Sequence, residues 1–461
     1  MKTSRSRLRG PGRLAAVTTV AMLALVGCGG SGGGDDAASD SGSETAAAPA
    51  TAPEGAIKIG VLTTCGGPFA TFEGQSLSGA KYALIDQAGG KADGTEPQDQ
   101  VTGATVAGTP VAVSYGCSDA TPDKAVAEAR RLVENVGVQI LLGPLSGDEG
   151  VAVAEYAKSQ PDVTFVNGTS GAQSTTLSVK APNFFRFGGD GAQWMAGLGT
   201  YAYKEKGWRK VAILGEDYSY PYTQAAGFVS EFTSLGGEVT ARSWVPLTQT
   251  DWSSPVAQLP RDVDGVLLLT GGTNTVAAEK AFIQVGKDPG DFLLGGSSVM
   301  DPTSFTVGDQ LDGLVGGSPV PLGSDEQAWT AYVDGFSKEF PDVDPQSLFT
   351  ALYFNGMQVI LDALDQVGGK LDDPAAFQQA LAAEAPTFPS GAVTLDDNRN
   401  SVQPNYVVQI VKDGDQLGFK LLSTVDDVDQ TFGGLFGPDS PDPSRDEPEK
   451  ATGNPPPWAN D

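Results

Sequence analysis

Residues 56–90 limit the fold more than any other stretch of this chain. They open on an alternating apolar run, Ile57, Ile59 and Val61, followed by a turn-rich segment, Thr63-Thr64-Cys65-Gly66-Gly67-Pro68. A long amphipathic segment then runs to Gly89-Gly90. A period of two, a turn and a helical period together read as strand, loop and helix. The rest of the chain repeats that unit. Alternating strands and helices imply parallel sheets with right-handed crossovers. In such sheets ligands bind outside the carboxyl ends of the strands, where loops meet helix N-termini. The loop over residues 63–72 is therefore the first place to look for function.

The repeats fall into two series. The first has strands at Val111–Tyr115, Val138–Leu142 and Val163–Val166, with a polar loop or hairpin over 91–108. Its second helix starts at Thr121-Pro122-Asp123: a capping hydroxyl, a proline at the first turn and an acid at the positive end of the dipole. A third helix spans Gly150–Ser159. The second series starts after Phe184-Phe185-Arg186, with a helix predicted over Gln193–Lys206 and strands at Val211–Leu214, Glu238–Trp244 and Gly265–Leu269. Helical patterns at Asp325–Phe340, Ser347–Val367 and Pro374–Ala383 follow, and then strands at Ala392–Leu395, Tyr406–Lys412 and Phe419–Leu422. Two series imply two lobes.

Composition narrows the function. The formal net charge is -28, from 57 acidic and 29 basic residues. So acidic a surface repels nucleic acid and offers no patch for phosphate backbones. There is no His, which removes Ser-His-Asp and Cys-His catalysis and the usual zinc sites. No catalytic residue, metal site or cofactor is assigned. A binding protein is favoured over an enzyme, and a hydrolase would have to work with carboxylates such as Glu216-Asp217.

The two ends differ from the body. Residues 1–27 carry Lys2, Arg5, Arg7, Arg9 and Arg13, then an apolar run from Leu14 to Val26 that is too short to span a bilayer as a helix. That is a targeting segment, and Leu25-Val26-Gly27-Cys28 at its end resembles a bacterial lipobox. Cleavage before Cys28 and lipidation of its thiol would follow; a plain secretory signal with an incidental Cys is the alternative. Residues 28–55 are Gly, Ser, Ala, Asp, Thr and Pro with little to bury, a flexible tether. Residues 437–461 are rich in Pro and Asp and read as a disordered tail.

Several motifs in order carry a family resemblance over nearly all of 56–425. They are Ile57-Lys58-Ile59-Gly60-Val61 with Gly67-Pro68 and Gly79-Ala80, Cys117-Ser118-Asp119 leading into Pro122-Asp123, Leu142-Gly143-Pro144, and Gly215-Glu216-Asp217-Tyr218-Ser219-Tyr220. Together they resemble the substrate-binding proteins of ABC transporters of the branched-chain amino acid type. The resemblance implies the type I periplasmic-binding fold: two α/β lobes, each a mainly parallel sheet flanked by helices, with the ligand in the cleft between them. Lobe 1 would be 56–186 with 319–388, and lobe 2 would be 187–318 with 389–436. The implied partners are a small polar ligand, an ABC permease and its ATPase, and the membrane through Cys28. The implied form is a monomer on the outer face of the cytoplasmic membrane. A sensory receptor of the same fold without transport is the alternative.

The resemblance also places a site. Ser146 and Gly147, with Thr169 and Ser170, would hold a carboxylate and amino group; ordinary capping is the alternative. Phe72 would cover the ligand, or else serve the core. Tyr220 would reach it from lobe 2, with Tyr218 and Tyr222 as rivals, and Thr273 and Ser297 would complete the set. Amino-acid binders often carry an acid where this chain has Ser297-Ser298, so an amide or related small solute stands beside an amino acid as ligand. Cys65 and Cys117 follow neighbouring strands and would form a disulfide in an exported protein, free thiols being the alternative.

Overall fold

The computed structural model describes residues 52–94, 96–272, 274–436, 442–445 and 454–460. The targeting segment, Cys28, nearly all of the expected tether and Thr273 lie outside the described residues. Two layered α/β lobes form the body, each built on its own sheet.

The first sheet runs Thr105–Val106, Thr109–Ser118, Ile57–Thr64, Ile140–Leu142, Thr164–Val166 and Phe184–Phe185. All pairs are parallel except the first, which is antiparallel. Ile57–Thr64 is central because it is apolar on both faces, as a strand covered by helices on both sides must be. Ile59 pairs with Val113 on one side and with Ile140 on the other, and Ile59, Val61 and Leu62 are fully buried. On one face Leu62, Leu141 and Phe165 meet Ala125, Ala129, Leu132 and Val153 of the covering helices. On the other, the Glu73–Ala88 and Leu348–Gln366 helices pack together so closely that a Cβ on Gly79 would lie 2.1 Å from the Thr350 carbonyl oxygen.

The second sheet runs Glu238–Val245, Lys210–Glu216, Gly265–Leu269, Leu293–Gly295, Val315–Ser318, Ser401–Asp413 and Thr394–Leu395, with Gln416–Val428 also paired to Ser401–Asp413. Its first five strands are parallel and the later ones antiparallel. Phe228 and Phe232 of the Ser219–Ser234 helix pack on Ile213 and Leu267. Phe187, Pro319 and Ser390, far apart in sequence, line a single small hollow.

Three expectations need correction. Residues 193–206 do not form one helix: a short turn at Gln193–Met195 is separated by Gly197, whose φ is +89°, from a helix that runs through Leu198–Thr200 and Tyr201–Glu205. The buried Glu231 carboxylate takes the freed N–H groups of Gly197 and Thr200, each at 3.0 Å. Val315–Ser318 is a central strand that the reading missed, since Val-Gly-Gly-Ser has no strand pattern. Its glycines are there for space, a Cβ on Gly317 falling 2.2 Å from the Trp194 carbonyl oxygen. The tail is not structureless in its described parts. Arg445 pairs with Asp217 at 3.1 Å, Asp442 accepts from Ser178, and Trp458 packs edge-on against Phe432 with ring centres 5.2 Å apart.

Candidate functional site

Each lobe presents the end of a doubly wound sheet. In lobe 1 the chain leaves Ile57–Thr64 for one edge of the sheet, then crosses back over to Ile140–Leu142 on the other side. The loops leaving those two neighbours diverge and open a crevice. In lobe 2 the same reversal lies between Lys210–Glu216 and Gly265–Leu269. The two crevices face each other. Phe69, Leu145, Ser146 and Gly147 from lobe 1 and Tyr218, Tyr220 and Gly271 from lobe 2 line one cavity. Thr169, Gly171 and Trp194 close one side, and Ser298, Leu348 and Phe349 another. The space left at its centre is about 10 Å3, room for about one water. A solute is admitted to that space only when the lobes part.

The lobe 1 side carries hydrogen-bond donors. The Gly147–Ala157 helix points its N-terminus at the cavity, and the first N–H groups of a helix have no partner within it. Glu149 bonds back to the Ser146 N–H at 3.1 Å and to Thr64 Oγ1 at 3.1 Å. The return contact from the Glu149 N–H to the Ser146 side chain completes a capping box at the helix start. Burial raises the Glu149 carboxyl above the usual range, and its second oxygen has no partner. Thr169 Oγ1 donates to the Leu145 carbonyl at 3.1 Å, tying the two loops together.

The fully buried Arg186 sets the adjoining loop. Its guanidinium donates to the Ala172 carbonyl at 2.7 Å, to Thr176 Oγ1 at 2.6 Å and to the Ser170 carbonyl at 3.3 Å. Burial lowers its pKa to about 10. With its carbonyls drawn to Arg186, this loop is held at the edge of the cavity that Thr169 and Gly171 line.

The lobe 2 side is aromatic. Tyr220 bonds to Ser298 Oγ at 3.0 Å and lies edge-on to Trp194, with ring centres 5.8 Å apart. Phe69 reaches across from lobe 1 to Tyr218 at 5.8 Å. The lobes approach so closely that a Cβ on Gly147 would lie 2.5 Å from Ser219 Oγ, and one on Gly171 2.7 Å from the Tyr220 ring.

Of the residues expected in the site, Ser146, Gly147, Thr169 and Tyr220 line the cavity, and Tyr218 joins Tyr220. Ser170 is buried behind them, its hydroxyl 3.4 Å from the Gly147 carbonyl. Phe72 is not at the cavity: it stacks on Phe349 with ring centres 3.9 Å apart, and Phe69 stands where Phe72 was expected. Ser298 faces the cavity, while Ser297 turns to Gln224 Nε2 at 3.2 Å. Tyr222 turns away to Asp217 and Trp244. Asp148 lies across the cleft mouth, accepting from the Ser219 N–H at 3.1 Å. Cys65 and Cys117 form a disulfide with Cα atoms 5.4 Å apart. Sequence reasoning missed Phe69, Trp194, Phe349 and Arg186.

Residues 56–415 match the family described as periplasmic binding protein. The chain belongs to the periplasmic binding protein family. A Leu/Ile/Val-binding protein homolog 7 of Brucella abortus is 26% identical over 360 residues, covering 73% of this chain and 82% of that one. Among solved structures, an ABC transporter substrate-binding protein from Sphaerobacter thermophilus superposes with a TM-score of 0.71 at 23% identity, over 81% of this chain and 99% of that one. A solute-binding protein of an ABC transporter from Rhodopseudomonas palustris HaA2, in complex with p-hydroxybenzoic acid, gives 0.71 at 23% over 81% and 98%. A leucine binding protein from Thermotoga maritima gives 0.67 at 18% over 80% and 99%. These likenesses establish the type I fold, and this periplasmic binding protein has the two-lobed cleft that goes with it.

Proposed function

We propose that this chain is the extracytoplasmic solute receptor of an ABC importer, binding a small carboxylate-bearing solute by closing its two lobes on it. The observation that carries the reading is the meeting of the two sheet crevices in one cavity, with open N–H groups on one side and aromatic rings on the other. Nothing in this reading requires covalent chemistry. Closure buries the solute between surfaces that separate in the open form, and a permease would recognise the closed form. A monomer suffices, since both halves of the site come from one chain. The Brucella relative's name and the ligand in the Rhodopseudomonas title point to amino acids and aromatic acids as the first solutes to try.

The Leu14–Val26 run ending at Cys28 supports attachment through a lipid on that cysteine, outside the cytoplasmic membrane. Cys28→Ser would then release the protein into the medium.

A thermal-shift screen against small metabolites tests the receptor reading. A solute at ~100 times its Kd that binds only the folded chain adds roughly 2.7 kcal/mol, a shift well clear of noise. A saturable hit supports the receptor; turnover of the hit, or no hit across the library, refutes it.

A further inference from the structure

Besides the Asp148–Ser219 contact, the lobes are bridged at a fully buried point beside the cavity. Asp301 follows the Leu293–Gly295 strand of the lobe 2 sheet. Its carboxyl reaches Ser347 Oγ at 2.6 Å, at the start of the Leu348–Gln366 helix of lobe 1. Ser347 Oγ also lies 2.9 Å from Gln75 Oε1, on the Glu73–Ala88 helix of lobe 1. Ser298, three residues before Asp301, and Leu348, one after Ser347, both line the cavity. The bridge therefore continues the cleft wall.

This cluster is one proton short when Asp301 is ionised. Ser347 Oγ accepts from the Phe349 N–H at 3.2 Å and has a single hydrogen to give. Asp301 Oδ2 and Gln75 Oε1 both lie within reach of it. With a carboxylate at 301, one of those contacts sets two oxygens together with no hydrogen between them. Turning the Gln75 amide over moves the shortage without removing it, because that side chain also hydrogen-bonds the Asp301 carboxyl and would then set its oxygen there. A hydrogen on Asp301 Oδ2 satisfies the whole cluster: Asp301 donates to Ser347, and Ser347 donates to Gln75. Asp301 Oδ1 takes the Thr303 N–H at 3.0 Å in either state.

The surroundings favour the same state. Asp301 is 1% exposed, and burial raises its carboxyl above the usual range. From the segment before the Leu348–Gln366 helix it is faced by a second carboxylate, Asp344, itself raised by burial and by Asp301. Glu73, on the Gln75 helix, is taken by Gln98 Nε2 at 2.7 Å. The Thr275–Gln284 helix packs on the Pro302–Val307 turn that Asp301 caps. Its Glu279 is buried with neither oxygen hydrogen-bonded, and Lys280 beside that acid is exposed. When the lobes part, Asp301 loses Ser347 and Gln75 and meets water, where an ordinary carboxylate is stable.

We propose that closing the lobes takes up one proton, on Asp301, so that acid favours the closed form and solute binding draws in a proton. This rests on the reading that the lobes open and close on a solute. A carboxyl that holds its proton more tightly in the closed form favours closure at low pH, and the advantage is lost as pH rises through its closed-form pKa. Coupling of this kind is reciprocal between proton and solute.

Small-angle X-ray scattering of the purified full chain, with no solute added, tests it. The radius of gyration should grow from pH 5 to pH 8 as the lobes part. Asp301→Asn, which keeps the shape and cannot ionise, should hold the smaller radius at both. Asp344→Asn, which removes the facing negative charge, should move the midpoint of the change to lower pH. A wild-type radius that does not change with pH would overturn the proposal, as would an Asp301→Asn radius that changes as much as the wild type's. Either of those results leaves the receptor reading standing, since that reading fails on an empty metabolite screen or on turnover.

Discussion

Asp148, in the first turn of a lobe 1 helix, accepts a hydrogen bond at 3.1 Å from the backbone N–H of Ser219, the first residue of a lobe 2 helix. One carboxylate thus touches two helix N-termini and joins the lobes at the mouth of the cleft. Both dipoles favour the negative charge there. The bond exists only while the lobes are together, so it stabilises the closed form alone.

Asp148→Ala should shift the protein toward open forms. A charge-assisted bond in a partly buried place contributes about 1–2 kcal/mol, so solute Kd should rise roughly 5- to 30-fold. The change should lie mainly in the dissociation rate, measured by stopped-flow fluorescence of Trp194. An unchanged dissociation rate would show that the bond is incidental to closure.

Phe69 and Phe72 separate binding from stability. Both are buried, and both belong to the same tight turn, Gly67–Phe72. Phe72 stacks on Phe349 of the Leu348–Gln366 helix, so Phe72→Ala should cost about 3–5 kcal/mol of stability and leave the Kd within about twofold. Phe69 meets Tyr218 across the cleft, so Phe69→Ala should raise the Kd at least tenfold. Melting curves paired with titration would show the two effects; equal loss of affinity in both variants would put Phe72 back in the site.

Buried acids give the protein a stability profile that runs against habit. Burial pushes Glu216 and Glu231 up to about 7 from 4.5. Between those values the folded chain holds protons that the unfolded chain releases, so stability falls as pH rises from about 4.5 to about 7. Melting should occur at higher temperature at pH 5 than at pH 8, and Glu216→Gln with Glu231→Gln should flatten that difference. A double variant with the full wild-type slope would place the pH dependence elsewhere, for instance in surface repulsion at a net charge of -28.

The C-terminal stretch contributes to the body. Trp458, half-buried, packs edge-on against Phe432, and Ala459 beside it is buried. Trp458→Ala should lower stability by about 1–2 kcal/mol through lost apolar burial. An unchanged melting temperature would mean that the contact contributes nothing.

Much of this was legible in the sequence, and the limits have physical causes. Strand exits are readable because a run of apolar residues must end in a turn, and the family resemblance singled out Ser146, Gly147, Thr169 and Tyr220 among the loops that follow. Phe69 was missed because Gly67–Phe72 winds with about three residues per turn. Residues three apart share a face in such a turn and differ by about 6 Å along it, which puts one ring at the cleft and the other in the core. Arg186 was missed because a lone arginine after two phenylalanines looks like a surface residue. Only the fold shows that the carbonyls of the 170–173 loop converge on it. The helix expected over 193–206 begins only after Gly197, where local propensity yields to the approach of Val407 and Val425.

The central claim is that the solute sits between the lobes, and a crystal structure with the strongest ligand of the screen tests it most directly. The account predicts ligand density touching Ser146 on lobe 1 and Tyr220 on lobe 2, with the Asp148–Ser219 bond closed over it. Density on one lobe alone would contradict it. A ligand in the outer hollow of about 610 Å3 beside Lys58 and Arg131 would be such a result.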